Sequence, residues 1–170
     1  RNNFFQNLLL DNLLLVDIYN RAKKLHIEVS VPRLVYLIET KSEKDGIVTE
    51  LLKGMFSAQN GDYITSVDES NVILIKSLED GYTQDSLLDI ANIIVDMMNT
   101  EAMLNVKVAF GTVVSELKDV SKSYKEAKMS LDVGKIFYAE KDVMSYSTLG
   151  IGRLIYQLPI NLCRIFIKEI

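Results

Sequence analysis

The chain holds one histidine and one cysteine, and neither has the company that catalysis needs. His26 stands beside Lys23 and Lys24 near a helix end. A lone imidazole with no second ligand reads as solvated or structural. Cys163 lies among Leu162, Ile165 and Phe166, where a thiol is buried and inert rather than a nucleophile. Carboxylates offer more. Glu43, Asp45, Asp68, Glu69, Glu79 and Asp80 fall in or near expected loops, and Glu39 closes an apolar run. Such acids can hold a divalent cation against phosphates when they converge, and are hydrated surface when they do not. Gly150-Ile151-Gly152 lacks the third glycine of a phosphate-binding loop. Lys118, Lys122, Lys125 and Lys128 alternate with Glu116, Asp119 and Glu126, which reads as a soluble helix face rather than a phosphate stripe.

The elements that must position these groups come from an ordinary globular composition. Of 170 residues, 48 % are apolar and 25 % charged, with 19 Lys+Arg against 23 Asp+Glu and a formal charge of −4. This excludes collagen-like, disulfide-stapled and disordered classes. One domain with its own core is expected at this length. The acidic balance argues against nucleic-acid binding by this segment, which needs clustered Lys and Arg. A single cysteine fits a reducing cytoplasm. No uncharged stretch exceeds about ten residues, short of the roughly 18 to 20 that span a bilayer. The N-terminus has no secretory signal pattern. Because the chain opens on Arg1 and ends on Ile170 inside a helical pattern, it is expected to be part of a longer protein.

Periodicity predicts one helix from Asn3 to His26, whose Leu13-Leu14-Leu15-Val16 run is apolar all round and asks for partners on two sides. Val31-Pro32 ends it. Leu34–Ile38 reads as a strand covered on both faces, and Lys41–Ala58 as a helix stopped at Asn60-Gly61. Tyr63–Val67 and Val72–Ser77 form a hairpin around Asp68-Glu69-Ser70-Asn71. Thr83 or Ser86 caps a helix from Leu87 to about Met103. Val106–Val114 is a fourth strand in which Gly111 marks a close approach or a bulge. A helix follows from Ser115 or Asp119 to about Leu131, with Gly134 fitting a stop and a short continuing turn at Ile136-Phe137 left open. A last strand spans Val143–Tyr146, and an apolar helical tail, divided by Pro159, spans Leu154–Ile170. The order β-α-β-β-α-β predicts an α+β, ferredoxin-like antiparallel sheet with both crossover helices on one face, plus an N-terminal helix and a C-terminal helical tail.

In nucleotidyl-cyclase-like domains of this plan, the hairpin between strands two and three carries the active-site signature, Gly-Gly-Asp/Glu-Glu-Phe in diguanylate cyclases. Laid on this chain it falls on Val67-Asp68-Glu69-Ser70-Asn71. Both glycines are missing, and a β-branched valine stands at the first position. Glu39 takes the place where such enzymes keep a metal-binding acid. The hairpin therefore reads as a degenerate one. No catalytic, cofactor-binding or metal-ligating residue is assigned, and no cofactor is expected.

Further motifs sharpen the likeness. Phe110-Gly111-Thr112, Ser123-Tyr124-Lys125-Glu126-Ala127 and Gly134 are followed by Tyr146-Ser147-Thr148-Leu149-Gly150 and Leu154-Ile155. Together with Leu8-Leu9-Leu10, Arg21-Ala22, Leu25-His26-Ile27 and Pro32-Arg33 upstream, this series resembles the GGDEF-like middle domain of bacterial transcription regulators of the carbohydrate-diacid and purine-catabolism (CdaR/PucR) type. The resemblance implies a linker or dimerisation helix over residues 1–30, a degenerate GGDEF-like domain over 31–149, and over 150–170 the start of a helical linker to a C-terminal helix-turn-helix. It also implies a cytoplasmic, non-catalytic relay domain that forms a homodimer and meets DNA only through that later helix-turn-helix. The Ser-Tyr-x-Glu-Ala motif has a structural reading beside any ligand role: Ala127 lets a helix approach the sheet and Tyr124 buries its ring. Two other functions stay open. One is a metabolite-binding module using the Asp68–Asn71 hairpin or the Gly150 loop. The other is a divergent magnesium-dependent nucleotidyl cyclase using Glu39, Asp68 and Glu69.

Overall fold

The structure, a computed structural model, describes residues 2–40 and 42–150. A continuous apolar run sets its centre. Leu34 to Ile38 have no side-chain exposure, and they form β1 (Arg33–Glu39), the middle strand of a sheet ordered β2-β3-β1-β4-β5. The partners are β2 (Tyr63–Thr65), β3 (Asn71–Ser77), β4 (Lys107–Phe110) and β5 (Val143–Ser145). All pairings are antiparallel except β4 with β5. The α+β, ferredoxin-like plan is as the sequence predicts.

Alternation along each strand divides the core in two. Leu34, Tyr36, Ile38, Val72, Leu74, Val108 and Phe110 meet Val48 and Leu52 of α3 (Asp45–Met55) and Leu87, Ala91, Ile94 and Met98 of α4 (Gln84–Ala102). Both crossover helices thus share one face, as expected. Thr83 caps α4, with Ser86 returning the bond to form a capping box. Val35, Leu37, Ile73, Ile75 and Ala109 point the other way, toward Val120, Tyr124, Ala127 and Leu131 of α5 (Val120–Phe137) and the N-terminal segment. The strands β3, β4 and β5 run the same way, and the chain steps across the sheet in one direction. Since α4 and α5 lie on opposite faces, the crossovers β3–α4–β4 and β4–α5–β5 have opposite hands.

Several boundaries differ from the sequence reading. The single helix expected over Asn3–His26 is two, α1 (Asn2–Leu9) and α2 (Leu15–Lys24). The break is at Asp11, with φ of 62°. One straight helix of that length would run roughly 36 Å, while five strands span only about 19 Å across. Turning back lets Phe4, Phe5, Leu8 and Leu9 join the same core as Ile18 and Ala22. The fourth strand stops at Phe110, and Val114 makes only an isolated bridge to Arg33. The helix over Lys41–Ala58 narrows to α3, with a 3-10 turn on each side. Gly134 does not stop α5, which continues to Phe137. Its missing Cβ makes room for Met144, whose Cγ would lie 2.5 Å away. A short helix α6 (Tyr146–Leu149) ends at Gly150 in the left-handed region. The readings on Gly152, Cys163 and Leu154–Ile170 lie outside the described residues.

Candidate functional site

The hairpin sits at the C-terminal end of β1. Register pairs Glu39 with Asn71, and Thr40 N–H donates to Ser70 O at 2.9 Å. The structure thus brings Glu39 beside the loop that carries Asp68 and Glu69, as the signature alignment implies. Two of the three acids face other work, while Glu69 is exposed on the loop. Asp68 Oδ1 accepts from the backbone N–H of Ser70 at 2.9 Å and of Asn71 at 3.0 Å, and Asn71 Nδ2 approaches both carboxylate oxygens at 3.4 Å. This is an Asx-type turn in which the carboxylate replaces a backbone acceptor. Asn71 keeps its own Oδ1 without a donor. Glu39 Oε2 accepts from Lys135 Nζ of α5 at 2.7 Å. A lysine ammonium therefore stands where a cation would have to approach that carboxylate, and like charges repel. Gln6 of α1 donates to Ser66 O at 2.7 Å, tying the loop to the N-terminal helices.

The remaining acids do not join them. Glu43 is exposed and lines a cavity of about 260 Å³ with Thr40, Lys44 and residues 103–106. Asp45 lies in the first turn of α3, and Glu79 and Asp80 are exposed between β3 and α4. Among the described residues no three His, Cys, Asp or Glu side chains are placed to hold a metal ion. His26 is exposed, with φ of 58°.

Residues 12–133 match the family described as the GGDEF-like domain. The chain belongs to that family. No curated protein is similar enough to count as a relative. Within this GGDEF-like domain the β2–β3 loop carries Val67 and Asp68, which lack a glycine's backbone freedom.

The α5 motif acts as a clamp. Val35 N–H of β1 donates to Ser123 Oγ at 2.9 Å inside the core. Glu126 Oε1 accepts from Thr112 N–H at 3.0 Å and from its hydroxyl at 2.6 Å. Ala127 is fully buried, and Tyr124 nearly so. Burial raises the Tyr124 pKa from its ordinary value, and Asp68 and Asp132 add to that shift. Gly111 is the close approach the sequence predicts: a Cβ there would lie 2.7 Å from Ser123 Oγ and nearer still to its carbonyl oxygen. The bonds of Ser123 and Glu126 were not legible in the sequence, where the motif offered only its alanine and tyrosine.

Arg33 was missed as a site residue. It opens β1 and is only 2 % exposed. Its Nη2 donates to Glu28 O at 2.6 Å, while Nε and Nη1 have no partner. Burial lowers its pKa from the ordinary value, and Tyr63 and Glu28 oppose the shift; an arginine stays charged regardless. The signal was a charge directly preceding a run of five core residues. No described helix is long and apolar enough to cross a membrane.

Proposed function

We propose that this GGDEF-like domain is a non-catalytic relay module of a cytoplasmic bacterial transcription regulator of the CdaR/PucR type. In that reading it works as a homodimer, and DNA is read by another part of the same protein. The observation that carries the reading is that two of the three candidate acids are engaged, with only the exposed Glu69 left open. Asp68 is engaged by its own turn and Glu39 by Lys135. A triphosphate with its metal needs both free carboxylates and a backbone it can approach. The surface supports the dimer. Leu14 is 71 % exposed and Val16 60 %, with Leu15 and Tyr19 beside them. An apolar patch of this kind, flanked by the polar residues of α2, is what a helix-mediated contact uses.

Two measurements test this. Incubation with GTP or ATP and magnesium or manganese is expected to give no cyclic product and no rise in melting temperature. Turnover that is lost in Asp68→Ala would refute the non-catalytic reading. Sedimentation equilibrium is expected to show a dimer that Val16→Asp weakens; a monomer at high concentration would remove the dimer.

A further inference from the structure

A second polar cavity lies at the opposite end of β1 from the hairpin. It holds about 250 Å³ and is lined by His26, Glu28 and Val31 of the α2–β1 connection, by Arg33, by the turn Ala58 to Gly61, and by Tyr63 and Ser77. That is room for roughly eight water volumes at about 30 Å³ each. Arg33 is the one buried cation in its wall. Of its five N–H groups, those on Nε and Nη1, three in all, lack a protein acceptor. Several neighbouring acceptors already receive donors, and the exposed Glu28 carboxylate acts on Arg33 only through its charge: Asn60 O receives Ser77 Oγ at 2.8 Å. Asp62 Oδ1 receives Lys76 Nζ at 3.2 Å, Ser77 N at 3.0 Å and Ser77 Oγ at 3.2 Å. Ala58 O receives Gly61 N–H at 3.0 Å. A buried guanidinium with open donors is costly unless something with oxygen lone pairs meets it. The planar fork matches a carboxylate or a phosphate.

We infer that this cavity binds a small oxyanion, a carboxylate- or phosphate-bearing molecule, through Arg33. The occupant would touch the α2–β1 connection and the Ala58–Gly61 turn together, so it would lock the N-terminal helices onto the sheet edge. His26 adds a donor at the rim. Glu28 is exposed there and opposes anion entry, so its charge sets the affinity. The inference is independent of whether the hairpin turn is catalytic, because its residues 67–71 line no part of this cavity.

The test uses the whole chain and two probes, inorganic phosphate and succinate, against sodium chloride at matched ionic strength. Nitrogen NMR of the arginine Nε–H groups and melting temperature give the readouts. Saturable shifts of the Arg33 signal with one probe or both, absent with chloride, are expected, and the stronger probe identifies the anion class. Glu28→Gln, at an exposed position, is expected to tighten binding at least threefold. Arg33→Met is expected to abolish it. Should Arg33→Met fail to fold, the wild-type titration and Glu28→Gln still decide. No saturable shift with either probe, an equal response to chloride, or unchanged affinity in Glu28→Gln would overturn the inference.

Discussion

Replacing Gly111 by alanine tests whether the family motif on α5 is a structural clamp. The added methyl carbon would lie 2.7 Å from Ser123 Oγ and closer to the Ser123 carbonyl oxygen. Carbon–oxygen contacts normally sit at about 3.3 Å or more, so α5 must retreat from the sheet by on the order of 1 Å. Overpacking of this kind costs about 1–3 kcal/mol. The retreat also stretches the bond from Val35 N–H to Ser123 Oγ, now 2.9 Å. A buried donor left without its acceptor costs a further 1–3 kcal/mol or so. Restricting the unfolded chain returns about 0.4–1 kcal/mol. The net loss is about 3 kcal/mol. With a urea slope of roughly 2 kcal/mol/M, the unfolding midpoint falls by about 1.5 M at unchanged slope.

A contrast sits on α3, where a Cβ at Gly46 meets nothing within 4 Å. Gly46→Ala is expected to stabilise by about 1 kcal/mol through helix propensity. Ser123→Ala removes the same acceptor that Gly111→Ala displaces, so the double variant should cost about 1 kcal/mol less than the sum of the singles. Urea unfolding followed by circular dichroism measures all four proteins. A Gly111→Ala midpoint within error of wild type, or strict additivity with Ser123→Ala, would refute the clamp and return the motif to ligand contact.

Three other outcomes follow from single contacts. Tyr36 is buried and donates to Leu87 O at 2.7 Å, and burial raises its pKa far above the ordinary value of 10. Its neutral form is the folded one, so its contribution is full below about pH 10 and declines as pH rises further, by up to about 1.4 kcal/mol per pH unit. Tyr36→Phe should therefore cost about 1 kcal/mol at pH 7 and flatten the alkaline limb of a stability-versus-pH curve. Asp62→Asn should cost about 2–3 kcal/mol, below the usual 3–5 for a broken buried pair, because Lys76 keeps Ser77 O at 2.8 Å; thermal unfolding checks it. Asp68→Ala should cost about 1 kcal/mol by loosening the hairpin turn, visible as faster amide exchange at Ser70 and Asn71.

Much of the fold was written in local patterns. Five consecutive apolar residues at Leu34–Ile38 demand a strand with two covered faces, and the Thr83 and Ser86 hydroxyls mark a helix start. Gly111 announced a close approach or a bulge, the uses a strand has for a missing side chain, and the structure shows the close approach. The candidate site was half legible: the hairpin position followed from the order of elements, but Lys135 and Glu39 are 96 residues apart, and no spacing rule relates them. Asp11 and Gly134 misled for one reason. A helix pattern records which residues are apolar, not how far the surface beneath them extends or what crosses above. The break at Asp11 answers to the width of the sheet, and the continuation through Gly134 to Met144 on a strand ten residues later. Arg33 was hidden by its neighbours, since one charge at the edge of an apolar run reads as the run's boundary.

The packing also shows which elements the N-terminal helices touch. The connection from α2 into β1 is fastened at several points: Ile27 N–H to Ala22 O, Leu117 N–H to Val29 O, and Leu78 N–H to Pro32 O, at 2.8 to 2.9 Å. Arg33 and Val114 exchange both backbone bonds, at 2.9 and 2.8 Å, and Ser30 reaches Glu116. All but one of these contacts lie within the N-terminal segment or lead to the stretch entering α5. A displacement of α1 and α2 therefore pushes on α5, which shares their core, on β2 and its loop through Phe5 on Tyr63 and Gln6 on Ser66, and through Gly134 and Met144 on β5, which leads into α6. The α3 and α4 face meets that chain of contacts only at its ends, through Leu78 and Val143. Its helices can hold the sheet while the opposite face moves. An anion at Arg33 would sit at the first joint of these contacts, where the N-terminal helices meet the sheet, and so would bias them.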